Sequence, residues 1–300
     1  MINRIQTYFS YPRDFETVRR SILRKSSFYK NRSSFPFISG DTFKNMCDYI
    51  ISSRDLNREK FEYLCKANFK NNRFFLTAYP KSTIAFDFID FLRKNDDLNI
   101  KKFNIIIHNG DVIPDSAQLE YLSSRVSRVY AVNWLGSSKI AKSLPIGLEN
   151  YELLRNGVPS DFNSFFTHNL KPTQKDIDLL ICFSLSTNLT ERLIALETSR
   201  KVPGAYEVKS AITPSRYRQL VKQSKYVLSP PGNGPDCHRT WESLYLGATP
   251  IVLKKSWPFN NLNLPIATVN NWNEVNSIVR SNRYLSFSNF EWWKIEKWFN

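Results

Sequence analysis

The sequence predicts an α/β protein made of two Rossmann-like halves that face a cleft. Three observations predict it. Short apolar segments rich in β-branched and aromatic residues alternate with helix-patterned segments between residues 73 and 133. The same alternation restarts at 177 and runs to 254. Between them lies a polar, proline-bearing stretch, THNLKPTQKD (167–176), which reads as a linker.

Along the chain, residues 1–70 read mainly as helix. ISGDTFKNMCDYII (38–51) offers Ser39 or Asp41 as a cap, followed by apolar Phe43, Met46, Cys47 and Ile50 at helical spacing. FEYLCKANF (61–69) is a second short helix. RFFLTAY (73–79), FNIIIHN (103–109) and RVYAVN (128–133) are short and apolar, as buried parallel strands are. TIAFDFIDFLRKN (83–95) and SAQLEYLSS (116–124) are the helices between them. In the second half IDLLICFS (177–184), KYVLSPP (225–231) and TPIVLK (249–254) read as strands. TERLIALETSR (190–200), PSRYRQLVKQS (214–224) and CHRTWESLYLG (237–247) read as helices. FEWWKIEKWF (290–299) is expected to be a helix that either packs back on the first half or rests on a membrane surface.

Composition sets the class. The chain has 300 residues, 42% hydrophobic and 23% charged, which suits a soluble folded protein. No apolar run reaches the roughly 18 residues of a membrane span, and MINRIQTYFSYPRDF lacks a signal-peptide core, so a cytoplasmic location is expected. Four cysteines and three histidines are too scattered for a metal site and fit a reducing compartment. The net charge of +15, much of it in VRRSILRKSSFYKNR (18–32), favours an anionic partner or is a solvated basic surface. A nucleic-acid-binding protein is the rival class, but no helix-turn-helix, RRM or zinc finger is present to carry it. An anionic membrane is the other partner that this charge suits, as a peripheral contact.

The chemistry concentrates in SPPGNGPDCHRTWESLYLGATP (229–250). A strand ends, glycines make a turn that lets backbone approach a ligand, and Pro235 and Asp236 are placed to start a helix. Free amides at a helix start form an anion site. Arg239 in that first turn opposes the helix dipole unless an anion is bound there, and its planar fork suits phosphate. Glu242 shares a helix side with His238 and Arg239 and can accept both hydroxyls of a ribose. Trp241, Leu244 and Tyr245 form the opposite, core-facing stripe.

YVLSPPGNGPDCHRTWESLYLGATPIVL (226–253) resembles the C-terminal signature of exostosin-like glycosyltransferases. LICFSLSTNLTER (180–192) is similar to the first strand and loop of that family's donor domain. FNIIIHNGD (103–111) and LPIGLEN (144–150) are similar to its acceptor-side motifs. The resemblance covers roughly residues 100–255. It implies a GT-B fold: an acceptor-side domain over 1–170 with a helical extension, a donor domain over 171–285, and a C-terminal helix over 286–300. It also implies metal-independent, inverting transfer of a sugar from a nucleoside diphosphate donor, with UDP-sugars the usual donors. The acceptor is a glycan or glycoconjugate: a cell-surface polysaccharide, a lipid-linked glycan or a glycoprotein. No cofactor is implied beyond the nucleotide-sugar co-substrate. A binding-only relative without turnover is the alternative.

Within this reading, the donor site comprises Ser184, Thr187, Asn188 and Arg192 from the first donor-domain turn. Pro231, Gly232, Asn233, Gly234, His238, Arg239 and Glu242 join it from the second. Arg192 either pairs with the diphosphate or forms a surface ion pair. Lys254 and Lys255 follow a donor-domain strand and either touch a phosphate or are strand-end charges, the latter being the favoured reading. The general base belongs on the wall opposite the leaving group. Asp111, at the end of an apolar strand, is the first candidate; the other reading is a turn aspartate that holds backbone amides. Glu149 is the second candidate, or else a contact to the donor sugar or a hinge residue. His108 reads as a packed, hydrogen-bonding strand end.

Overall fold

The structure is a computed structural model that describes residues 32–78, 84–136, 139–165, 175–283, 291 and 294–299. The basic stretch before residue 32, most of the 167–176 linker and part of the C-terminal aromatic stretch lie outside the described residues.

Two five-stranded, all-parallel sheets organise the chain. The first contains β1 (Tyr49–Ile50), β2 (Arg73–Thr77), β3 (Asn104–His108), β4 (Arg128–Val132) and β5 (Lys142–Leu144), side by side in chain order. It is served by α1 (Gly40–Asn45), α2 (Arg58–Lys66), α3 (Ile84–Lys94) and α4 (Ser116–Arg125). The second contains β6 (Ile177–Ile181), β7 (Ala205–Glu207), β8 (Ser224–Leu228), β9 (Thr249–Leu253) and β10 (Ala267–Val269), in the order β10-β9-β8-β6-β7. Its helices are α5 (Leu189–Ser199), α6 (Pro214–Lys222), α7 (His238–Tyr245) and α8 (Val275–Ser281).

Strand alternation divides the core into layers. Phe74, Leu76, Ile105 and Ile107 face the outer cluster of the first half, among Phe61, Phe88 and Leu119. Leu179, Ile181, Tyr226 and Leu228 face the outer cluster of the second. The residues between them, Phe75, Ile106, Leu180 and Val227, belong to one central cluster that spans both halves and contains Trp241, Leu244 and Tyr245 of α7. The two sheets therefore share a core, with α7 inside it. Tyr245 receives the Ile38 amide on its hydroxyl at 3.0 Å, and Phe37 meets its ring edge-on at 4.8 Å.

Several elements differ from the sequence reading. The helix expected over 38–51 stops at Asn45; Tyr49 and Ile50 pair with Phe74 and Phe75 instead. Ser39 is its cap, its hydroxyl accepting from the Thr42 amide. Asp41 serves elsewhere, its carboxylate accepting from the Tyr151 and Ser34 amides. The helix begun by Pro235 and Asp236 in the sequence reading instead begins at His238. The C-terminal stretch forms a 3-10 turn over Ile295–Phe299 that touches both halves. Phe299 packs on Phe43 and Tyr130, and Trp298 on Trp241 and Phe259. All four cysteines are free thiols, and burial pushes Cys47 up to about 12. Among the described residues, no helix is long and apolar enough to cross a membrane.

Gly147 fixes the wall beyond β5. Its φ is +67°, and a Cβ there would stand 2.1 Å from the Ile38 carbonyl, so only glycine fits. The next amide, Leu148, donates to that same carbonyl at 2.8 Å. The 144–150 segment is thereby pinned to the start of α1.

Candidate functional site

In the second sheet the chain leaves β6 toward β7 on one side, and β8 leads to β9 on the other. Such a reversal opens a crevice beyond the carboxyl ends of the two central strands. Arg192 and Arg239 fill it. Arg192 lies in the first turns of α5, whose cap is Asn188, and is only 6% exposed. Its Nε donates to the Pro231 carbonyl at 2.9 Å and its Nη1 to the Ser184 carbonyl at 2.6 Å. Arg239 donates from Nε to the Cys182 carbonyl at 2.9 Å, and its buried Nη1 has no partner among the described residues. Both guanidinium carbons lie within 6 Å of the Phe183 ring centre, at 5.8 and 5.5 Å. Among the described residues neither arginine forms an ion pair. Carbonyl bonds satisfy some of their N–H groups but leave the charge in place. Burial and the repulsion of Arg239 pull Arg192 down to about 10.

The start of α7 adjoins this pair. Cys237 stands at its N-cap and its side chain caps nothing; the thiol turns to the Ser229 hydroxyl at 3.2 Å. Among the described residues no side chain caps the start of α7, where the Thr240 amide turns back to the Cys237 carbonyl at 3.0 Å. Gly232 lies close by: a Cβ there would be 2.9 Å from Arg192 Nη2, and its carbonyl accepts from Asn188 Nδ2 at 3.3 Å. Thr187 is exposed at the same turn, and Ser184 and Ser186 share a hydroxyl bond at 2.9 Å.

The remaining candidates face the first half. Asp236 does not start α7. It is 2% exposed, and its Oδ2 accepts the Ile146 amide of the first half at 2.8 Å, while Trp241 Nε1 donates to both its oxygens. Burial raises its pKa to about 7 against these hydrogen bonds. Gly234 faces a protein side chain rather than an open ligand space, since its Cβ position falls 2.3 Å from Asn133 Nδ2. Asn133 accepts the Asp236 amide at 3.3 Å and keeps a buried Nδ2 without a partner among the described residues. Asn233 reaches Asp111, donating to Oδ2 at 2.9 Å, and both are exposed.

His238 Nδ1 lies 2.7 Å from the Gly147 carbonyl. His108, 2% exposed, packs beneath: Nδ1 accepts the Asn109 amide and Nε2 donates to the Pro145 carbonyl at 3.0 Å. Burial lowers it to about 4, so it is a neutral structural histidine.

Glu242 departs most from the ribose role. It is 5% exposed, beside the Tyr217 hydroxyl, and faces Glu149 of the first half. The helix is buried on nearly every side, not only along Trp241, Leu244 and Tyr245. Burial, then the charge of Glu149, raise Glu242 to about 7. Glu149 is half-buried and accepts the Asn156 amide on Oε2 at 3.1 Å. Lys255 pairs with Glu191 at 3.3 Å. Among the described residues, no group of three or more His, Cys, Asp or Glu side chains is placed to hold a metal ion.

Sequence reasoning passed over Asn133, Tyr217 and Gly147. A local signal existed for the first: both Asn109 and Asn133 follow an apolar strand directly, and both take positive φ, 60° and 59°.

The raised pKa of Glu242 gives a prediction. A carboxyl that holds its proton longer in the folded state stabilises fully below its unfolded pKa, near 4, and loses that stability as pH rises through about 7. Glu242→Gln keeps an uncharged group there. Its Tm relative to the unaltered protein should therefore climb between pH 5 and pH 8, as thermal denaturation across that range will show; a constant difference would contradict the placement.

Compared with known proteins, the chain matches no family model and no curated protein.

Proposed function

We propose that the protein is an inverting glycosyltransferase of GT-B architecture, taking its sugar from a nucleoside diphosphate donor, with UDP the favoured nucleotide. The observation that carries this reading is the pair of guanidiniums at the strand-order reversal, that of Arg192 buried and that of Arg239 half-buried with a buried Nη1, without carboxylate partners among the described residues, beside the start of α7, whose N-cap side chain makes no capping bond. Two cations held close together in a crevice repel one another, and an anion that spans both removes the repulsion. A diphosphate has the length and charge to do so, and a leaving diphosphate gains negative charge as the glycosidic bond breaks. Asp111 and Glu149, on the opposite wall, are the carboxylates available to the acceptor side. The acceptor is a glycan or glycoconjugate.

Thermal denaturation with UDP, UDP-sugars and uridine tests the reading. A ligand present at 100 times its Kd adds about 2.7 kcal/mol. UDP and a UDP-sugar should raise Tm by several degrees and uridine should not. Equal shifts with uridine, or none with any nucleotide, would remove the diphosphate site.

A further inference from the structure

We propose that His238, through Nε2, is the group that takes the proton from the attacking hydroxyl. The inference rests on the glycosyl-transfer reading above and adds the identity of its base. The first two residues of α7 turn to opposite walls. Arg239 donates to the Cys182 carbonyl at the end of β6, while His238 meets the Gly147 carbonyl beyond β5. A carbonyl oxygen only accepts, so Nδ1 carries the hydrogen, and the neutral ring keeps its lone pair on Nε2. A backbone carbonyl on Nδ1–H is the arrangement that orients a histidine for proton transfer. Among the described residues nothing bonds to Nε2. The Cβ-excluding contact of Gly147 with Ile38 holds that carbonyl in place.

The two carboxylates fit the task less well. Asp111 stands in solvent with Oδ2 occupied by Asn233. Glu149 spends Oε2 on the Asn156 amide and faces Glu242. With the diphosphate at Arg192 and Arg239, the contact of His238 with the Gly147 carbonyl sets the imidazole toward the first half, the side from which inverting attack on the anomeric carbon would come. The acceptor oxygen bonds to the anomeric carbon as the carbon–oxygen bond to the diphosphate breaks. The bonding pair leaves on the diphosphate oxygen, beside the guanidiniums, and the acceptor proton passes to Nε2. The resulting imidazolium keeps its bond to Gly147 and lies in the field of Asp236 and Glu242, with His108 the other histidine near it.

His238→Asn separates base from scaffold. The asparagine amide can take the place of Nδ1 and donate to Gly147, but nothing replaces Nε2. Release of UDP from UDP-hexoses and UDP-pentoses in the presence of oligosaccharide acceptors should fall by roughly 10²–10⁴-fold. UDP binding and Tm should stay near those of the unaltered protein. In His238→Ala, added imidazole should restore part of the rate, which a purely structural histidine would not allow. His238→Asn turning over within about threefold of the unaltered enzyme would overturn this inference and leave the glycosyltransferase reading intact. Unaltered protein that neither binds UDP nor releases it would overturn both.

Discussion

On the proposed function, Arg239→Ala is expected to abolish sugar transfer and to weaken UDP binding by roughly 10–100-fold while the fold survives. The loss follows from the position of Nη1, which is buried and unpartnered among the described residues and close to Arg192. A charge-assisted bond to phosphate contributes about 1.5–3 kcal/mol, which is the stated range of Kd. Removing a donor aimed at developing charge costs a further 10²–10³ in rate by order of magnitude. Stability should change little, because two effects oppose each other. The Nε bond to Cys182 is lost, at about 1 kcal/mol. The repulsion that pulls Arg192 down is relieved. Calorimetric titration with UDP, alongside Tm, measures both. Unchanged binding in a folded variant would mean that the diphosphate lies elsewhere.

Trp241→Ala is the largest expected loss of stability, about 3–5 kcal/mol. Its indole is wholly buried in the cluster common to both sheets, 6.1 Å from Trp257, 5.9 Å from Phe259 and 5.7 Å from Trp298. The substitution also strips Asp236 of its Nε1–H donor and leaves that buried carboxylate with fewer partners. Trp241→Phe keeps most of the apolar volume and loses only the donor, so it should cost about half as much or less. The cluster spans both halves, so each variant should melt in a single transition, read by circular dichroism and tryptophan fluorescence together. Two separated transitions would contradict the shared core.

The strands that could be read from sequence were those with runs of apolar residues: Phe74–Leu76, Ile105–Ile107, Leu179–Ile181, Val227 and Leu228, and Ile251–Leu253. Their burial on both faces writes itself into composition. β5, β7 and β10 have only three residues each, partly exposed, and carry no such pattern. β1 was hidden because Ile50 also fits helical spacing with Phe43, Met46 and Cys47, and the pairing with Phe75 that decided the matter lies far along the chain.

The placement of the glycine turn before α7, and of Arg239 in the first turn of that helix, was legible because local geometry sets it. The partners of Asp236, His238 and Glu242 were not, because each lies in the other half: Ile146, Gly147 and Glu149. A short polar residue before a helix reads as a cap. Only the packing of the loop against Asn133 and Ile146 shows that Asp236 joins the halves instead.

A crystal of the protein grown with UDP tests the central claim most directly. The account predicts that the diphosphate bridges Arg192 and Arg239, with oxygens within about 3 Å of Arg239 Nη1 and of the first amides of α7. A nucleotide bound with its phosphates away from the β6–β8 crevice, or ordered there without touching either guanidinium, would contradict it.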